Sequence, residues 1–498
     1  MTIRARRRDL LALGALATAG AVLPFRSALA QARRPMPDVV VVLPGIMGSV
    51  LQRSGKDVWA LSGSALARGL ASLGGSVKSL TLSGDSAEAA SLDDGISATA
   101  LLPDTHLLPG LWKIDGYTKL TKTLRNEFDL RPGENYFEFA YDWRRDNRAA
   151  ARRLATLSRQ WLRAWRAKSG NPDARLILLA HSMGGLVSRY FLEVLEGWRD
   201  TRTFVTFGTP YRGSLNALNF LVNGMKKTAG SLTLIDLSTM LRSFTSIYQL
   251  LPIYPCYDAG DAQLKRVTEA TGFPQLDLAR VRSAFQFYEE IRLAVERNVR
   301  DSQYLNGRYT IHPIVGTYQS TLLIGKRAGS GMQMLGRDPR DTQLKGDGTV
   351  PQVSARPIEP EALAQRQRVV YAAELHGSLQ NCTPVLDHVV QLLAEGYVDD
   401  TVYRAGEGKE ISLNVDDFFG PNEVATATVG CEDRNSLIVV TVVDVGSRQQ
   451  VARKLVDDVG SSGAATVSLG KFREGTYRVR AQGADGGSAN DVFLVMDS

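Results

Sequence analysis

Ser182 stands in "AHSMG", Ala180 to Gly184, between an apolar stretch, Leu176 to Ala180, and a run of helical character that begins at Met183. A serine at the junction of a buried strand and a helix can serve as a nucleophile, because the sharp turn presents its hydroxyl at the top of the sheet. Such a turn needs small neighbours so that strand and helix can pass closely. Gly184 meets that need, and Ala180 is the next smallest residue to the glycine usual at its position. The helix amino terminus behind Ser182 also favours a developing oxyanion. The chemistry this predicts is acyl transfer.

A serine hydroxyl needs a base, and imidazole titrates in the right range. The chain has five histidines. His181 lies within the elbow, where its side chain faces away from that of Ser182. His312 falls in an apolar strand and reads as a core residue, while His388 sits in a closing helix and His106 in an early insertion. His376 follows directly on "RVVYAAEL", and loops at the carboxyl ends of strands are where ligands and catalytic groups gather in open α/β sheets. A carboxylate must hold that imidazole in one tautomer. Asp347, between two glycines in "KGDGTVP", is placed to do so. Alone it would read as a turn aspartate, but the order Ser182, Asp347, His376 is the order of the α/β-hydrolases. Two oxyanion donors complete the set. One is the N–H of Met183; the other is that of Ile46 in "LPGIMGS", with Met47 close behind. Asp142 and Arg144, in "YDWRR", read as a loop brace.

The elements that must position these residues alternate along the chain. "DVVVVLPG", "YFEFAYDW", "ARLILLA", "TFVTFG", "TIHPIVGT" and "RVVYAAEL" read as strands. "RRLATLSRQWLRAWRAK", "GGLVSRYFLEVLE" and "VLDHVVQLLAEG" read as helices. That alternation predicts a parallel sheet covered on both faces. Residues 31–400 therefore read as an α/β-hydrolase catalytic domain, with cap or lid insertions near 58–102 and 211–257. Residues 401–498 change to short strands separated by Gly, Asn and Asp, which predicts an all-β, sandwich-like accessory domain.

Charge and composition narrow the class further. The chain of 498 residues is 44% hydrophobic and 22% charged, with net charge +7. The excess is uneven: the last 98 residues carry ten Lys/Arg against fourteen Asp/Glu, leaving a mildly basic body that suits an anionic lipid surface. No basic tract interleaved with aromatics points to nucleic acid. Residues 1–30 read as a signal peptide, with Arg7 and Arg8 of twin-arginine type, an apolar run from Leu10 to Leu23 and a small-residue "ALA" site. They predict an exported protein. Cys256, Cys382 and Cys431 form no CxxC, and an exported location would permit a Cys256–Cys382 bond. With no Walker A, HExxH or dinucleotide fingerprint, neither cofactor nor metal is expected.

The series "VVVLPGIMGSVL", "YDWRR", "LLAHSMGGLVSRYFL", "FGTPYRGS", "GDGTVP" and "LHGSL" resembles the motif series of the lecithin:cholesterol acyltransferase family, in the same order. That family includes lysosomal phospholipase A2 and phospholipid:diacylglycerol acyltransferases. The resemblance spans roughly Val39 to Leu393 and leaves out the β-rich tail. It implies an α/β-hydrolase fold with a membrane-binding subdomain and a mobile lid, and an acyl-enzyme drawn from a phospholipid ester. Ser182 matches the nucleophile, Asp347 the acid, His376 the base, and Ile46 and Met183 the oxyanion positions. It also implies a lid within Asn216 to Phe244 and bilayer contact around Trp59. The early cysteine pair of the animal enzymes is missing. The function expected is an exported acylhydrolase or acyltransferase on glycerophospholipids or other lipid esters, the acyl group passing to water or to an alcohol such as a sterol. Alternatives are an esterase on non-lipid esters, and a binding protein with an inert hydrolase body.

Overall fold

Five consecutive buried positions, all Val or Leu, make the first strand, β1 (Val39–Leu43). A strand buried on both faces belongs inside a parallel sheet, and β1 pairs in parallel with β2 (Tyr136–Glu138) on one side and β3 (Leu176–His181) on the other. β4 (Thr201–Phe207), β5 (Thr310–Gly316) and β6 (Val370–Ala372) continue the sheet, giving the order β6-β5-β4-β3-β1-β2 with every pair parallel. The computed structural model describes residues 33–59, 80–92, 94–103, 106–108, 112–229, 232–260, 263–306, 309–336, 345–358, 368–395, 410–431, 436–460, 463–484 and 487–496. The signal-like segment, residues 1–30, lies outside them. Among the described residues no helix is long and apolar enough to cross a membrane.

Helices α1 (Thr118–Glu127), α2 (Asn147–Ser169), α3 (Met183–Glu193), α4 (Leu215–Val222), α5 (Leu278–Asn298) and α6 (Thr383–Glu395) accompany the sheet. The helical spacing read over 152–168 is that of α2, which buries Leu154, Leu162 and Trp165. Asp146 caps it by accepting from the Arg148 N–H, and Gly170 ends it at φ 69°, a left-handed angle that glycine adopts without a Cβ clash. Two strands are shorter than their apolar stretches suggest. β2 stops at Glu138 because Tyr141 is drawn off the sheet, its N–H donating to Ser49 Oγ and its hydroxyl to the Pro44 carbonyl. β6 spans three residues at the sheet edge.

The early insertion is a small antiparallel sheet of Ser49–Arg53, Lys56–Trp59 and Ile96–Leu101, with residues 60–79 outside the described set. Trp59 is turned inward. Its indole N–H donates to the Met47 carbonyl at 2.9 Å and its ring packs edge-on to Trp143. An aromatic ring whose N–H finds a partner inside is better buried than wet, so Trp59 itself is not placed to meet a bilayer. The "YDWRR" stretch ties this insertion down. Buried Arg144 donates to Asp142, Asp94 and the Leu80 carbonyl, and Arg145 to Asp85 and the Ala89 carbonyl. Cys256, Cys382 and Cys431 are free thiols, so the pairing considered for the first two is not formed. Burial pushes both of those thiols up to about 12.

The tail folds on a second core. β7 (Ile411–Val415), β9 (Ala425–Cys431) and β12 (Ala464–Gly470) form one antiparallel sheet. β8 (Phe418–Phe419), β14 (Ser488–Val495), β13 (Gly475–Gly483), β10 (Ile438–Asp444) and β11 (Gln450–Val456) form the other, in that order. Burial alternates along β7 and β10, as it does where one face of a sheet meets a core and the other meets water. β11 was not anticipated from sequence. It is a mostly exposed edge strand that carries Arg453 and Lys454, and charge on an edge discourages unwanted pairing.

Candidate active site

The strand order reverses between β1 and β3, and a ligand crevice forms at the carboxyl ends of strands flanking such a switch. β1 ends in Pro44-Gly45-Ile46-Met47, and β3 ends in His181-Ser182. Ser182 sits at φ 52°, ψ −123°, a conformation that costs a non-glycine residue about 1–3 kcal/mol and collects at functional sites. The surroundings hold it there. Its N–H donates to the Phe207 carbonyl at 2.9 Å, and Thr209 Oγ1 donates to its carbonyl at 3.0 Å. The small residues of the motif have a measurable role: a Cβ on Gly184 would lie 2.4 Å from the Pro44 carbonyl, and one on Gly185 would overlap Thr209 Oγ1.

The three residues singled out from sequence meet. Ser182 Oγ lies 2.9 Å from His376 Nε2, and His376 Nδ1 lies 2.7 Å from Asp347 Oδ2. Asp347 Oδ1 accepts from the N–H groups of Thr349 and Val350 at 3.0 and 2.6 Å. With both oxygens of the carboxylate engaged, Nδ1–H faces Oδ2 and Nε2 is left to accept from the serine hydroxyl. The His376 N–H also donates to the Asp347 carbonyl at 2.8 Å, so the two loops are joined by backbone as well. All three side chains are buried. Space for the Asp–His contact comes from Gly208, at φ 57°, where a Cβ would lie 2.8 Å from Asp347 Oδ2 and 2.9 Å from His376 Nδ1.

The loop after β1 runs beside Ser182. A Cβ on Gly45 would be 2.8 Å from Ser182 Cβ and 3.4 Å from its Oγ. Ile46 and Met183, both fully buried, lie on the two segments that converge there, and Met47 takes a left-handed φ of 61°. The loop is fixed by a contact that sequence reasoning missed. The Gly45 N–H donates to Tyr117 Oη at 2.8 Å, and Tyr117 Oη meets His181 Nδ1 at 3.0 Å. Because the phenol already accepts, its own proton goes to Nδ1. His181 is thereby set as the Nε2–H tautomer, and that N–H donates to the His376 carbonyl at 3.0 Å. Burial is the main cause that drives the His181 imidazole down to about 3, with His376 adding to it, so it stays neutral. A neutral relay thus links the loop after β1 to the loop carrying His376. His181 does face away from the Ser182 hydroxyl, yet it braces both neighbours. Tyr117 carries no local signal for this, since it caps α1 far away in sequence.

The other histidines lie on other elements. His312, on β5, is buried and contacts Thr310 Oγ1, and desolvation lowers it to about 3. His388 is buried on α6. His106 is in the strand His106–Leu108. Among the described residues no cluster of three or more His, Cys, Asp or Glu could hold a metal ion. A cleft of about 360 Å³ reaches His376 and Asp347, and Asn216, Asn219 and Phe220 of α4, within the expected lid, stand on its wall. Ser182 is not on that wall; it is 2% exposed beneath the surface.

A doubly covered parallel sheet, with a serine elbow at its switch point, is the α/β-hydrolase fold. Residues 82–310 match the family described as Lecithin:cholesterol acyltransferase, which bears out the resemblance read from the motifs. A human protein, lysosomal phospholipase A and acyltransferase, is 30% identical over 123 residues, which are 24% of this chain and 29% of that one. The chain therefore matches less than a third of that relative's length. Among solved structures, Bacillus licheniformis lipase BlEst2 in mature form is 13% identical with TM-score 0.34, covering 72% of this chain and 94% of that one. Phospholipase PlaB from Legionella pneumophila is 9% identical with TM-score 0.28, covering 92% of each chain.

Proposed function

We propose that this chain is an exported serine acylhydrolase or acyltransferase that acts on glycerophospholipids or related lipid esters. The observation that carries the reading is the continuous Ser182–His376–Asp347 hydrogen-bonded chain at the switch point. In the first half-reaction His376 Nε2 takes the Ser182 proton as Oγ bonds to the ester carbonyl carbon. The carbonyl oxygen becomes an oxyanion facing the N–H groups of Ile46 and Met183. Collapse of that intermediate breaks the ester C–O bond, and the imidazolium gives its proton to the departing alcohol oxygen. Asp347 orients the ring and stabilises its cation throughout. Water or an acceptor alcohol then attacks the acyl-enzyme, with His376 as base again, and Ser182 is restored.

The family match over 82–310 supports an acyl lipid as donor. The buried serine supports a cover that must move before a long substrate can enter, and the α4 segment along the cleft is its nearest candidate. The signal-like residues 1–30 support export, and the basic body supports peripheral contact with an anionic lipid surface.

Phosphatidylcholine vesicles with and without cholesterol, given to the mature protein and to Ser182→Ala, test the reading. Free fatty acid that vanishes in the variant marks a phospholipase. Cholesteryl ester formed at the expense of fatty acid marks an acyltransferase. Product from neither folded protein, or equal product from both, would overturn the proposal.

A further inference from the structure

The base and acid of the site lie on segments that reach towards the edge of the sheet, and three contacts from the C-terminal β module land on those segments. Gln319 is the first. Its backbone exchanges two 3.0 Å hydrogen bonds with Gly346, the residue before Asp347. Its side chain reaches the other way: Nε2 donates to the Ile411 carbonyl and Oε1 accepts from the Leu413 N–H, both at 3.2 Å, as an extra strand residue beside β7 would. Glu374, two residues before His376, is the second. Its carboxylate accepts from the Asn490 backbone N–H at 3.0 Å, from Asn490 Nδ2 at 2.8 Å and from the Leu375 N–H at 2.9 Å. Asp115 is the third. It pairs with Arg478 of β13, and its N–H donates to the Gly377 carbonyl, immediately after His376, at 2.9 Å.

Gln319 and Glu374 are both almost completely buried, so water does not stand in for the partners the module supplies. The same module also lines the cleft that reaches His376, through Leu413 to Asp417 and Asn490 to Val492. β6, from which the base loop leaves, has a three-residue ladder to a single neighbour. Such a short edge strand gives its loop little support of its own.

We propose that the C-terminal β module is a working part of the active site, with Gln319 and Glu374 as positioning residues through which it fixes the loops carrying Asp347 and His376. This rests on the hydrolase reading above. It assigns the tail a role in turnover, in place of one confined to adhesion.

The test exchanges donor and acceptor across the Glu374–Asn490 contact in the full-length protein. A soluble p-nitrophenyl ester is the substrate, and the rate of Ser182 labelling by a fluorophosphonate is followed in parallel. Assayed at pH 8 to 9, where Glu374 is ionised, Asn490→Asp sets two carboxylates against each other and should lower kcat and labelling roughly 10–100-fold, the cost of misplacing a catalytic group by a fraction of an ångström. KM should stay within about twofold, since binding of a small ester is untouched. Glu374→Gln should act in the same direction. The double variant E374Q/N490D lets the new amide donate to the new carboxylate and should recover kcat to within about threefold, as coupled neighbours do. Gln319→Leu, which frees the Asp347 side, should lower kcat independently. Melting curves identify any variant that has not folded; if N490D is one, Q319L and E374Q carry the test.

Wild-type kcat in the folded single variants, or a double variant no better than N490D, would overturn the inference while the hydrolase reading stands. A wild-type protein no more active than Ser182→Ala would overturn both.

Discussion

Ser182 and its two partners rest on different halves of the sheet, and those halves are supported differently. Ser182 leaves β3, which has β1 and β4 along its length, and α3 begins immediately after it. Everything that shapes its turn lies within a few residues or on the two neighbouring strands: Phe207, Thr209, and the glycines that let Pro44 and Thr209 approach. His376 leaves β6 at the edge, and Asp347 sits in a turn held by Gln319 and Val350 rather than at the end of a long strand. His181 reaches the His376 carbonyl, and the C-terminal module reaches the flanking Gln319 and Glu374. The centre of the sheet therefore fixes Ser182 with local sequence, whereas its edge draws on distant parts of the chain to fix Asp347 and His376.

The strongest way to break that comparison is at the reacting groups. Ser182→Ala or His376→Ala should lower kcat on a soluble ester by about 10⁶, and Asp347→Asn by about 10⁴, the scale seen when members of such a unit are removed. Activity within tenfold of wild type in any of them would remove the site. Acidification comes next. Burial holds His181 and His312 neutral down to about 3, while an unfolded imidazole protonates below about 6.5. The unfolded chain then binds more protons, so stability falls as pH drops from 6.5 towards 3, by about 1.4 kcal/mol per pH unit for each histidine. Glu374 works against this. Burial pushes its carboxyl up to about 7, despite the N–H bonds from Asn490 and Leu375, so the folded state takes the proton first. Between 4.5 and 7 it adds stability as pH falls. Urea midpoints across pH 4 to 7 should show a net loss on the acid side, and a gain would overturn the neutral assignment of the histidines.

Smaller changes sharpen the contrast. Gly208→Ala places a methyl group against both Asp347 and His376, at a left-handed φ, and should lower kcat roughly 100-fold. Unchanged turnover would mean that the Asp–His contact is not needed in its observed form. Tyr117→Phe leaves the Gly45 N–H and His181 Nδ1 without their shared partner. It should cost about 1–3 kcal/mol in a denaturant titration, the penalty of unmade buried hydrogen bonds. No loss would show that the two ends of the site are not joined through the phenol.

How much of this was legible follows from how local each signal is. The alternation of strands and helices, the elbow at Ser182 and the Asp347 and His376 positions were open to reading because periodicity, small residues and chain order report them directly. The helix α5 went unread although Val281, Ala284, Phe287 and Ile291 repeat at helical spacing, since Phe285, Tyr288 and Leu293 add apolar residues off that face and blur the pattern. β11 was missed because an edge strand exposes charge where a core strand shows alternation.

The sequence by itself therefore determined the fold class, the family resemblance and the order of Ser182, Asp347 and His376, since strand periodicity and a strained turn are written in neighbouring residues. Tertiary structure alone decided what holds them in register. The Tyr117–His181–His376 relay, the inward turn of Trp59 and the contacts of Gln319 and Glu374 with the β module join residues up to 195 positions apart. Burial gives those contacts their strength, and no one stretch of the chain reveals which distant residue will be buried beside it.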